Sequence, residues 1–122
     1  MPASENPAGK NSGNEMEIMI VVGVPEPHVE AVLDAIASAG GGVLGDYTHC
    51  GYVSGGQGRF LPGEAAHPAV GGKGIVNRVD EARIETFCTR ARAKAVAAAI
   101  RAAHPYEEPV IYLIPLLAES DL

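Results

Sequence analysis

A chain of 122 residues with 47% apolar side chains has enough material for one domain and its core, and too little for two. Its formal charge of -6, with nine Lys and Arg scattered along the sequence, excludes a nucleic-acid partner held through its phosphates, which calls for clustered cations. No apolar run approaches the ~20 residues of a membrane span, and no charged segment followed by an apolar one opens the chain, so the expectation is a cytoplasmic protein with no membrane partner. Cys50 and Cys88 stand too far apart in sequence for the disulfide framework of a small secreted domain.

Residues 1–14 are rich in Ser, Asn, Gly and Pro and are expected to form a disordered tail, because so few apolar side chains cannot offset the entropy of ordering. One domain then spans 15–118, with a short tail at 119–122. Glu17 to Val24 carries five consecutive apolar residues, Ile18 to Val22, as in a strand covered on both faces. Pro25 and Pro27 open a helix whose buried stripe is Val29, Val32, Leu33, Ile36 and Ala37, and Gly40 closes it as a C-cap.

A second strand is expected from Leu44 to Ser54. Residues 55–74 then hold seven of the fifteen glycines with Pro62 and Pro68, and read as a long loop, a length that is usually functional or mobile. Ile75 to Thr89 returns to strand character. A second helix runs from Arg90 to Ala103 with Thr89 as N-cap and Ala93, Val96, Ala97 and Ile100 as its buried face. It stops at His104, since Pro105 disfavours helical dihedrals there. The β-prone run from Val110 to Leu116 is the last strand.

This order is an α+β, ferredoxin-like βαββαβ sandwich with a long Gly-rich loop between strands two and three. Both helices lie on one face of the sheet, yet the first and last strands are apolar on both. The open face therefore calls for burial against copies of the same chain, and a homotrimer is the expected assembly.

Gly45-Asp46-Tyr47, the run Gly56 to Pro62, Pro68, Gly71, Gly74, Val79 to Glu85 and Ala103 to Pro109 together resemble the stand-alone YqfO type of the Nif-three-like family. The resemblance covers 16–116. It implies a PII-like and CutA-like domain in a trimer whose sheets face inward, a domain that larger relatives carry between two metal-binding α/β halves. It also implies a non-enzymatic binding or regulatory module, since PII proteins use the loop between strands two and three as a ligand-responsive arm. CutA proteins, similar at the His-Pro-Tyr-Glu corner, are associated with divalent metal tolerance. Ala65 and His67 depart from the family pattern in the loop.

Two kinds of site follow. The loop and corner offer Gly56, Gly58, Arg59, Phe60, His67, Lys73 and Tyr106 to a small-molecule ligand at a subunit cleft, with Arg78 able to join Arg59 and Lys73 around an anion. Gly56-Gln57-Gly58 lacks the strand-to-helix setting and the Lys-Ser or Lys-Thr of a phosphate loop, and reads as a hinge. His104, Glu107 and Glu108, with Cys50, offer nitrogen, oxygen and sulfur to a divalent metal ion. The plainer reading of the corner has Tyr106 packed at an interface and the glutamates pairing locally, and the plainer reading of both cysteines is burial. No nucleophile elbow or Cys-His pairing marks an enzyme. The expected function is ligand binding, with metal handling, partnership with a metal-dependent hydrolase of the Nif-three-like family, or a further protein partner as alternatives.

Overall fold

A computed structural model describes residues 15–122, so the expected tail at 1–14 lies outside the described residues. The elements are β1 (Ile18–Pro25), α1 (Val29–Ser38), β2 (Tyr52–Phe60), β3 (Asn77–Cys88), α2 (Ala93–Ala103) and β4 (Ile111–Pro115). They form one four-stranded sheet in the order β2-β3-β1-β4, with every neighbouring pair antiparallel.

Alternation along β1 divides its apolar run between the two faces. Ile18, Ile20, Val22 and Val24 join Ala82, Ile84 and Cys88 of β3 under the helices, where Val29, Val32 and Ile36 of α1 and Val96 and Ile100 of α2 complete the core. Met19, Val21 and Gly23 belong to the opposite face, on which no helix packs. There Val21 is paired on one side with Glu85 and on the other with Tyr112, and it is only 3% exposed. Tyr52 and Ile114, also on that face, and Leu113 on the β4 edge are exposed.

The helix boundaries follow the prolines and glycines, with two refinements. Both helices are entered through a 3-10 turn, Glu26–His28 before α1 and Arg90–Arg92 before α2. Thr89 makes no side-chain capping bond; the Arg90 amide instead donates to Glu17 Oε1 at 2.8 Å, so a carboxylate from the start of β1 caps this helix entrance. Gly40 follows the C-cap Ala39 with φ of 94°, a left-handed geometry that glycine adopts without a Cβ penalty.

The second strand departs most from expectation. Leu44 to Ser54 is not one strand. Leu44 and Tyr47 exchange backbone hydrogen bonds at 2.9 Å in a tight turn, and β2 starts only at Tyr52. It then continues through Gly55, Gly56 and Gly58 to Phe60, all paired with β3. The backbone ladder offered by β3 overrides the low strand propensity of glycine. The loop between β2 and β3 is thus 61–76, shorter than expected, and Gly56, Gly58, Arg59 and Phe60 are strand residues with no hinge among them. The expected tail at 119–122 contains a 3-10 turn, Glu119–Asp121.

Candidate functional site

The corner between α2 and β4 begins where sequence chemistry puts it. His104 is extended, with φ -82° and ψ 139°, as the following proline requires, and its amide still closes the helix onto the Ile100 carbonyl at 2.9 Å. Its ring turns inward and is 7% exposed. Nδ1 accepts from the Tyr106 amide at 3.1 Å, which leaves Nε2 carrying the proton that it donates to the Gly23 carbonyl at 2.7 Å. The imidazole thereby fastens the corner to the middle of the sheet.

Tyr106 continues the chain of contacts. Its hydroxyl donates to Glu81 Oε2 at 2.5 Å, and its ring is tilted against Phe60 with centroids 5.9 Å apart and against His104 at 4.8 Å. Burial, then the Glu81 hydrogen bond and its charge, push the Tyr106 phenol well above the ordinary tyrosine pKa, so it is a proton donor across the usual pH range.

Glu81 is seated between two glycines. A Cβ on Gly23 or Gly58 would lie 2.5 Å from Glu81 carboxylate atoms, so neither position accepts a side chain while the carboxylate stays in place. Both glycines are needed for close approach, and Gly23 also supplies the carbonyl that His104 uses.

The loop 61–76 is tied to this corner from above. The His67 amide donates to Glu107 Oε1 at 3.1 Å, and Gly74 donates to the Pro62 carbonyl at 3.1 Å. Asn77 accepts from the Gly72 amide and donates to its carbonyl, while Lys73 Nζ donates to the Glu64 carbonyl at 2.9 Å. Between loop and corner, over the open face of the sheet, lies a pocket of about 420 Å³ walled by Phe60, Leu61, Pro68, Val70 and Tyr112, with Glu81 and Tyr106 among its lining. Largely apolar walls with a few polar groups are the usual composition of a small-molecule site.

The structure gathers some of the expected residues and separates others. Gly58, Arg59, Phe60, Tyr106, Glu107 and Glu108 line this pocket. Gly56 lines a second depression of about 400 Å³ with Gln57 and Arg83. His67 reaches the corner only through its amide, and Lys73 is held by the loop backbone. Arg59 and Arg78 are directly paired across β2 and β3, on the face shared with Ala82 and Ile84.

The metal set does not assemble. His104 has both ring nitrogens engaged, Glu107 holds the His67 amide, and Cys50 directs its thiol to the Thr48 carbonyl at 3.9 Å from a segment that precedes β2. Among the described residues no group of three or more His, Cys, Asp or Glu gathers as a metal ion requires. The corner residues therefore do not fit a metal centre within one chain. Cys88 is a core residue whose thiol burial, and then the charge of Glu17, push upward in pKa.

Glu81, Gly23 and Tyr112 were not among the sequence candidates. The available signals were a glycine interrupting the apolar run of β1 and an acidic residue on the β3 face that the helices leave open.

No protein-family model matches the chain. A Mycobacterium bovis protein named GTP cyclohydrolase 1 type 2 homolog is 48% identical over 98 residues, covering 80% of this chain and 26% of that protein. A Bacillus cereus protein related to NIF3 superposes with a TM-score of 0.73 at 37% identity, over 87% of this chain and 27% of the other. CutA1 from Shewanella sp. SIB1 has the same fold, with a TM-score of 0.62 at 13% identity over 87% and 86% of the two chains. The chain spans about a quarter of the length of the curated relatives it matches. The structure is thus a PII-like and CutA-like domain, and the chain is a relative of the YqfO-type proteins of the NIF3 family, matching one segment of them.

Proposed function

We propose that this chain is a non-enzymatic, homotrimeric binding module whose ligand enters the pocket between the loop 61–76 and the corner at 104–110. The observation that carries the reading is the pocket itself, an apolar hollow with the Glu81 carboxylate and the Tyr106 ring in its lining. The non-enzymatic part rests on how the polar groups are used. Tyr106 is held protonated, His104 has no free nitrogen, and the two are linked through the corner backbone, so each group serves to position another. Metal handling has less support, because the ligands it needs are engaged elsewhere.

The trimer rests on the open face. Tyr52 and Ile114, which do not line the pocket, are exposed there, and a face of that character is stable when covered by copies of itself. Free Cys50 and Cys88 suit a reducing compartment, and we place the protein in the cytoplasm. Among the described residues no helix is long and apolar enough to cross a membrane.

Light scattering is expected to give three chain masses at micromolar concentration, and a stable monomer would remove the trimer. A thermal-shift screen of small molecules is expected to yield at least one stabilising compound, because a ligand selective for the native state raises its stability. A second reading, partnership with a metal-dependent NIF3-type protein, is favoured by the match to a quarter of those relatives' length. Co-purification with a NIF3-type protein deleted of the corresponding segment tests it.

A further inference from the structure

The Glu81 carboxylate poses an electrostatic question. It is partly buried, one oxygen holds the Tyr106 hydroxyl, and among the described residues no Lys, Arg or His lies within ion-pair distance. Its carboxylate therefore has room for a cationic partner from outside the chain, and two glycines stand bare where it is seated. Three aromatic residues line the same pocket. Phe60 and Tyr112 share the open face with Glu81 by strand alternation, and Tyr106 bonds to it directly.

The charges in the pocket lining have one sign for the most part. Glu81, Glu107 and Glu108 are opposed only by Arg59, and alternation along β2 places Arg59 with Arg78 on the other face of the sheet. An anionic ligand would meet carboxylates here. A cation would meet a carboxylate together with ring faces, the combination by which proteins recognise alkylated ammonium groups.

Building on the pocket as the ligand site, we propose that it selects a small organic ammonium ion, its charged head beside Glu81 among Phe60, Tyr106 and Tyr112 and its apolar part against Leu61, Pro68 and Val70. Selectivity then comes from charge and shape together. Glu81 supplies the missing half of an ion pair, and the rings accept methyl or methylene groups that a hydrated metal ion lacks.

Three isosteric probes test this on the full chain: choline, the neutral 3,3-dimethylbutan-1-ol and the anionic 3,3-dimethylbutanoate, each titrated while the aromatic NMR signals of Phe60, Tyr106 and Tyr112 are followed. Choline is expected to shift all three and to saturate with a dissociation constant on the order of 1 mM or tighter, the other probes producing little change. Glu81→Gln preserves the shape of the side chain and is expected to weaken choline at least about tenfold, and Phe60→Leu to weaken it by a smaller factor of about three. Unfolding of the Glu81 variant is detected in its amide spectrum, and Phe60→Leu then carries the test. Equal response to the neutral or anionic probe, or undiminished choline binding in both variants, overturns the ammonium assignment and leaves the pocket as a site of other chemistry. No response to any probe likewise overturns the ammonium assignment, while the pocket reading stands or falls separately with the thermal-shift screen.

Discussion

The sheet is built differently on its two faces. Under the helices, Ile20, Val24 and Ile84 are fully buried and the face is filled by branched side chains at every second position. On the open face β1, β2 and β3 carry Gly23, Gly58 and Glu81, and the central feature is made by leaving side chains out. The first face trades on volume, so its positions are interchangeable among residues of similar size and costly to empty. The second trades on vacancy, so a single added methyl group is felt by a carboxylate and not by the core. The packed core and the pocket are thereby separated across the thickness of one sheet.

That separation can be broken at several points. Ile84→Ala is expected to have the largest effect on folding, about 3 kcal/mol, from lost burial plus the cavity left behind, measured by urea denaturation. The aromatic signals of Tyr106 and Phe60 should remain near their native positions below the unfolding transition.

Gly58→Ala is expected to cost less, on the order of 1 kcal/mol, because the atoms it meets are the movable end of a side chain. Its mark is instead the loss of the Tyr106 to Glu81 bond, seen as a shifted Tyr106 ring. If Gly58→Ala destabilised as much as Ile84→Ala, the two faces would not be separable in this way.

Tyr106→Phe is expected to remove about 1 kcal/mol, the net worth of a typical intramolecular hydrogen bond. The pH dependence has a definite sign. The folded state raises the phenol pKa, so this group's share of stability is whole below the ordinary tyrosine value of 10.0 and is lost as pH rises above it, where the unfolded chain releases its proton first. Wild-type stability should fall more steeply above that pH than that of Tyr106→Phe, and parallel curves would deny the linkage.

The smallest expected effect on stability is that of Glu107→Ala, which removes the acceptor of the His67 amide. Denaturation should hardly register it, whereas hydrogen exchange of amides in 61–76 should quicken. Unchanged exchange there would show that the loop's own bonds suffice to hold it.

Much of the helix-facing architecture is legible in the sequence, because periodicity reports one-sided burial. Val32, Ile36, Val96 and Ile100 stand where the 3.6-residue spacing puts them, and Pro105 ends α2 at His104. β2 was less legible. Its strand state depends on a partner supplied by β3, and a stretch reading Gly55-Gly56-Gln57-Gly58 contains no local reason to be extended.

The candidate site was legible in part. Tyr106, Phe60 and Gly58 lie on the lining of one pocket, while the metal set does not gather because His104 turns its nitrogens to two backbone groups. The role of Glu81 is not legible in the sequence because it arises only from the fold, which brings residues 23, 58 and 106 to it from three separate segments.

Glu17 has a consequence for how such a domain travels between proteins. Its amide donates to the Cys88 carbonyl and its carbonyl accepts from the Leu116 amide at 2.9 Å, so the chain enters and leaves the fold at neighbouring points. A unit with adjacent ends can be spliced into a surface loop of a host domain while asking the host to open by little more than a strand spacing. Its match to a quarter of the length of its relatives accords with such portability. The same residue caps the entrance to α2 through its carboxylate, so the junction is closed by contacts internal to the unit, which can keep its shape when the flanking sequence changes.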